Sequence, residues 1–229
     1  MLTEAEIQAL ALSLAVGLRA ILFGLPLAVV VAFILTRARF RGRFLLDALV
    51  HAPLVLPPVV VGYLLLLALS PGAPLGAWLD AQFGLRFVFT SAGASLASGV
   101  MAFPLMVRAI RLSLEAIDPG LEEAARSLGA ARLDRFVTIT LPLMLPGILA
   151  AALLGFAAAL GEFGAVVTFA ANIPGETQTL PLAIYNALQT PGGEASALRL
   201  ASLSIALALA ALILSEALAR RVYRGWGRA

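Results

Sequence analysis

The sequence predicts an all-α integral membrane protein with five membrane-crossing helices and one short charged helix between the third and fourth. Three observations carry this reading. First, 61% of the 229 residues are hydrophobic and 13% are charged, about half the charged share of a soluble domain. So few polar groups cannot cover the surface of a water-soluble globule. Second, five runs, about 9–35, 44–70, 89–110, 137–162 and 196–218, are long and apolar enough to cross a bilayer, which takes about 20 residues. Third, all sixteen basic residues are arginine, and thirteen of them fall on one side of the membrane in a five-span chain.

The absences exclude chemistries. With no cysteine there is neither a disulfide nor a thiolate metal site, and one histidine, His51, cannot build a multi-histidine metal centre within one chain. With no lysine the chain holds neither a P-loop nor a Schiff-base lysine. No G-x-S-x-G surrounds a serine, which leaves a membrane hydrolase without its nucleophile motif.

The first span follows "MLTEAEIQ", whose Glu4 and Glu6 are the opposite of a basic signal-peptide start, so it is expected to be retained. Arg19 is the one basic residue inside this span, and it is expected to snorkel or to pair. Arg37, Arg39, Arg41 and Arg43 then form the first basic loop. The second span carries Pro53, Pro57 and Pro58, which break or kink a helix and free carbonyls. Such backbone is tolerated in a membrane where it faces protein or a water-filled path. "VLPPVVVGY", with Pro57, Pro58 and Gly62, is therefore expected either to line a pathway or to form a packing kink. Asp47 and His51, four apart at the start of this span, are expected to hydrogen-bond.

Residues 70–87 connect outward, and the third span leads to the charged insert "EEAARSLGAARLDRFVTITLPL" at 122–143. Asp118 and Pro119 suit a helix start, and Gly129 suits the position just past its end. The helix, about 119–129, is some 15 Å long and too short to cross. Leu121, Ala124, Ala125 and Leu128 share one narrow apolar face, and Glu122 and Arg126 are spaced to pair on the other. Periodicity leaves open whether this is a helix lying among headgroups or one that docks onto another surface.

The fourth span ends in Gly161-Glu162-Phe163-Gly164. An acid there repels an anion, so a structural or gate-shaping role is expected of Glu162. Residues 180–188 lie among Pro174, Pro181 and Pro191 and are expected to be a short outer helix or re-entrant segment, not a sixth span. The tail mixes Arg220, Arg221, Arg224 and Arg228 with Tyr223 and Trp226, as a helix end at the headgroups does. Arg108, Arg111, Arg126, Arg132 and Arg135 complete the basic side, so the N-terminus is expected outside and the C-terminus inside. The basic balance points to the membrane and not to nucleic acid.

Glu123-Ala124-Ala125, Gly129, Ile139, Leu141 and Pro142 spell E-A-A-x(3)-G-x(9)-I-x-L-P. This resembles the EAA signature of permease subunits of bacterial ABC importers. "APLVLPPVVVGYLLLL" (52–67), "FPLMVRAIRLSLE" (103–115), "LGEFGAVVTFAANIPGETQTLP" (160–181) and "QTPGGE" (189–194) extend the resemblance to the permeases of molybdate importers. It covers essentially the whole chain. The resemblance implies a type I importer permease forming one transmembrane domain over residues 1–229, working as a homodimer in the bacterial cytoplasmic (inner) membrane. It implies two cytoplasmic ABC ATPase subunits, which supply ATP and Mg²⁺, and a periplasmic or extracellular oxyanion-binding protein. The insert would be the coupling helix, with Glu123, Ala124, Ala125 and Gly129 at the ATPase interface and Ile139, Leu141 and Pro142 setting the turn back into the bilayer. Sulfate, thiosulfate or tungstate is the alternative cargo. A secondary transporter or channel is the alternative class, though neither an internal repeat nor an intramembrane relay is visible.

Overall fold

The computed structural model describes residues 2–38 and 40–226, and of residues 212 and 214–226 the backbone only. Arg39 and Arg228 of the expected basic side therefore lie outside the described residues, as do the side chains of Arg220, Arg221, Tyr223, Arg224 and Trp226.

Helix α1 (Glu4–Arg37) opens with a capping box: Thr3 Oγ1 accepts from Glu6 N–H, and Glu6 Oε2 accepts from Thr3 N–H. At 1.5 Å per residue it is about 50 Å long, more than the hydrocarbon thickness, an excess that a helix takes up by tilting or by extending beyond the lipid. Six of its nine buried residues are small (Ala9, Ser13, Gly17, Ala20, Ala28, Ala32), which lets neighbouring backbones come close where lipid supplies no hydrophobic drive. The helices that use this are α5 (Ser91–Glu115) and α8 (Leu141–Gly161). Together the three bury Ala32, Leu35, Met106, Ile110, Leu114 and Met144. A Cβ on Gly155 would lie 2.7 Å from Met106 Sδ, so the α5–α8 contact depends on that glycine.

The second crossing is broken. Helices α2 (Arg43–Val55) and α3 (Pro58–Leu69) meet at 118°. Pro57 and Pro58 supply no N–H, and Leu56 and Pro57 are extended at ψ 141° and 135°, as residues before proline prefer. Pro53, by contrast, sits inside an unbroken α2. The pair still traverses the fold. Asp47 on α2 is bonded to Arg111 near the end of α5, whereas Leu65, Leu66 and Leu69 of α3 pack around Ala94 and Ala97 near its start.

Helix α4 (Pro74–Phe83) lies within the 70–87 connection, starting on Pro74 and ending on a left-handed Gly84. Helix α6 (Pro119–Ser127) is the charged insert, and α7 (Arg132–Arg135) runs through a single π-helical turn (Phe136–Thr140) into α8. Past the break at Glu162 come α9 (Gly164–Phe169), the short helix α10 (Leu180–Gln189) and α11 (Glu194–Trp226). Leu180 N–H donates to the buried Ser13 Oγ at 2.6 Å, which seats α10 on α1. Glu6, 3% exposed, receives Arg199 Nη2 at 2.8 Å and Ser196 Oγ at 2.7 Å, which ties the N-terminal ends of α1 and α11. Among the described residues there is no strand, and five crossings result when the α2–α3 pair counts as one.

Candidate functional site

The first site is built on α6. Asp118 Oδ1 accepts from Gly120 N–H at 2.8 Å, and Pro119 takes the first helical position. At the other end Gly129 N–H donates to Arg126 O and Ala130 N–H to Ala125 O, both at 3.0 Å. This is the paired closure of a Schellman cap, and it needs Gly129 at φ +87°. The apolar face is uncovered: Leu121 is 47% and Leu128 88% exposed. Glu123, Ala124 and Gly129 are exposed and Ala125 half-buried. A short helix that presents leucines and alanines to nothing within its own chain has an open face.

What holds this helix differs from expectation. Glu122 does not pair with Arg126. It reaches Arg37 Nη2 at 2.8 Å, at the C-terminal end of α1, and accepts from Thr140 Oγ1 at 2.9 Å, at the base of α8. Arg135 Nη1 adds a contact to the Glu122 carbonyl at 3.4 Å. An i,i+4 pair on a surface helix contributes a few tenths of a kcal/mol, and the half-buried Arg37–Thr140 arrangement outcompetes it. The chain reverses at Leu128–Ala131, with Gly129 in the left-handed region. Ile139 therefore lies in the π-turn, and Leu141 and Pro142 open α8. All three follow the turn and stand within a continuous helix.

The second site joins the two breaks. A Cβ on Gly62 would lie 2.6 Å from Ala165 O and 2.9 Å from Thr168 Cβ, and one on Gly164 would lie 2.8 Å from Pro58 Cβ. Helices α3 and α9 are thus seated on each other through two glycines. Glu162 Oε1 accepts from Ala165 N–H at 2.8 Å and closes the start of α9. Phe163 stacks at 5.2 Å on Tyr185 of α10. Gly161 faces open space within 4 Å. Pro58 therefore meets Gly164, and Gly62 meets Ala165 and Thr168, across some hundred residues of sequence. Elsewhere Arg19 Nη1 donates to Ser91 Oγ at 3.1 Å. His51 Nδ1 lies 2.9 Å from Asp47 O and 3.4 Å from Asp47 Oδ1. Sequence reading had missed Glu122 and Arg37 as partners; the one signal was a second acid beside Glu123.

A family described as "Binding-protein-dependent transport system inner membrane component" matches residues 24–224. The molybdenum transport system permease protein ModB of Escherichia coli K12 is 56% identical over 219 residues, covering 96% of both chains. The sulfate transport system permease protein CysT of the same organism is 38% identical, over 83% of this chain and 70% of its own. Among solved structures, a bacterial alginate ABC transporter in complex with its alginate-bound periplasmic protein superimposes with a TM-score of 0.78 at 19% identity. That match covers 96% of this chain and 80% of the other.

Proposed function

Because the chain belongs to the family of binding-protein-dependent transport system inner membrane components, we propose that it is the translocation subunit of an ATP-driven molybdate importer. Identity to the molybdenum permease over nearly the full length of both chains supports this cargo over sulfate, where both identity and coverage fall. Two copies of the chain form the pathway, two cytoplasmic ATPase subunits bind ATP and Mg²⁺, and an outer oxyanion-binding protein delivers the cargo. The missing lysine leaves no P-loop on this chain, so hydrolysis takes place on the partner. The N-terminus lies outside and the C-terminus inside, supported by the arginine-rich 37–43 loop and the insert sharing one end of the fold through Arg37–Glu122.

The observation that carries the reading is an open apolar helix face clamped to two crossing helices. When the ATPases close on ATP, Glu123, Ala124, Ala125, Leu128 and Gly129 of each α6 move with them. Glu122 passes the displacement to Arg37 on α1 and Thr140 on α8, which are packed on α5. The α3–α9 pair, with backbone breaks at Pro57 and Phe163, is the part of the outer half free to swing. The whole is a rigid-body switch between two packings, and each ligand biases it only by its differential affinity for the two states.

Leu128→Asp tests this reading. Leu128 is 88% exposed, so the permease folds, and an acid on the docking face breaks the ATPase contact. The expected result is a permease of unchanged melting temperature that no longer retains its ATPase on purification. Full retention with normal uptake would remove α6 from the interface.

A further inference from the structure

The C-terminal end of α5 and the facing part of α2 line an open cavity of about 260 Å³, bordered by Asp47, His51, Arg108, Arg111, Leu112 and Glu115. Nothing in the coupling or gate reading uses it. Arg111 takes both acids: its Nη1 is 2.6 Å from Asp47 Oδ1 and its Nη2 3.5 Å from Glu115 Oε1. Arg108, three residues earlier on the same helix, is exposed and has no hydrogen bond or ion pair among the described residues. His51 engages Asp47 through Nδ1. With Nδ1–H donated to the Asp47 carbonyl, Nε2 is the unused ring nitrogen.

From this arrangement we propose that the cavity is a binding site for a tetrahedral oxyanion group, held by the Arg108 guanidinium, with His51 adding an Nε2–H donor in its imidazolium form. A guanidinium presents a planar fork of donors that matches two oxygens of such a group. A cavity of this size has room for the group and accompanying waters. The two carboxylates do not repel it outright, because Arg111 lies between them and neutralises them. The formal charges of the four ionised side chains cancel, so the site selects by geometry and holds weakly, as suits a group that must leave again. Two sources share this chemistry: the phosphate of an anionic lipid headgroup, since basic pockets between helices at the inner leaflet take such groups, and a free oxyanion on its way inward. The site is argued from its own side chains and stands whichever oxyanion is imported.

The native sequence has no cysteine, so Leu112→Cys, on the cavity wall and 61% exposed in the native chain, adds a single reporter thiol to the permease. Its modification by an uncharged maleimide is timed on the permease–ATPase complex in phosphatidylcholine nanodiscs. One arm adds sodium molybdate or sodium sulfate, with sodium chloride at equal ionic strength as reference. The other replaces part of the phosphatidylcholine with phosphatidylglycerol. The expected result is labelling slowed in at least one arm, with the half-protecting amount raised about tenfold by Arg108→Gln, the scale of one charge-assisted contact. Protection by the salts identifies a free anion, and protection by phosphatidylglycerol identifies a headgroup. Should Arg108→Gln fail to assemble, His51→Gln carries the same expectation. Unchanged labelling in both arms, equal slowing by sodium chloride, or protection that survives the substitutions would overturn the site.

Discussion

Removing the Glu122 carboxylate is the perturbation that separates a clamped coupling helix from one merely resting on the surface. At the 2.8 Å Arg37–Glu122 distance, two unit charges attract by about 6 kcal/mol at an effective dielectric of 20. Desolvation and the ordering of two long side chains offset most of that. A charge-assisted hydrogen bond retains about 1.5–3 kcal/mol, and both partners are only about a quarter exposed (28% and 26%). If all of that is lost from coupling, uptake per ATP hydrolysed falls by about 10- to 150-fold. The assay is that ratio in proteoliposomes for Arg37→Ala, Glu122→Ala and the double variant. Glu122→Ala is expected to be the worse single change, because it also deprives Thr140 of its acceptor. The double variant is expected to be no worse than Glu122→Ala alone, since a shared contact can be lost only once. Strictly additive losses, or an unchanged ratio in an intact complex, would refute the clamp.

Two further substitutions test the packing. Gly62→Ala places a methyl 2.6 Å from Ala165 O, a backbone atom that cannot swing aside. It is expected to cost about 1–3 kcal/mol, read as a lower melting temperature and slower uptake, whereas Gly161→Ala, with nothing within 4 Å, leaves both unchanged. Arg199→Leu strands the Glu6 carboxylate, which is 3% exposed. Breaking a fully buried pair costs about 3–5 kcal/mol, and the 41% exposure of Arg199 brings the expected loss below that range. Amide hydrogen exchange in the first turns of α1 would accelerate, and unaltered protection there would show that the tie contributes nothing.

The features legible in the sequence were those with local causes. Apolar runs marked the crossings because lipid leaves a helix no other way to satisfy its backbone. Asp118, Pro119 and Gly129 marked the insert because caps act within a few residues. Pro57-Pro58 marked a break for the same reason, although its 118° angle depends on what α3 packs against. Helix α4 went unread because a search for membrane-length runs passes over ten residues, even with Pro74 and Gly84 at its ends. The meeting of Gly62 with Ala165 and the reach of Arg37 to Glu122 join residues 103 and 85 apart. Such contacts follow from how crossings pack, and no local periodicity encodes them. The insert's pairing was misread for that reason: Arg126 lies at the right spacing from Glu122, but Arg37 and Thr140 arrive from elsewhere.

The measurement closest to the central claim uses proteoliposomes holding this chain with its ATPase, and the binding protein loaded with molybdate or with sulfate. ATP hydrolysis and uptake of the labelled oxyanion are followed together. The account predicts that molybdate-loaded binding protein stimulates hydrolysis and that molybdate accumulates inside only with ATP. Accumulation of sulfate in preference to molybdate, or molybdate flux that persists without the ATPase, would contradict it.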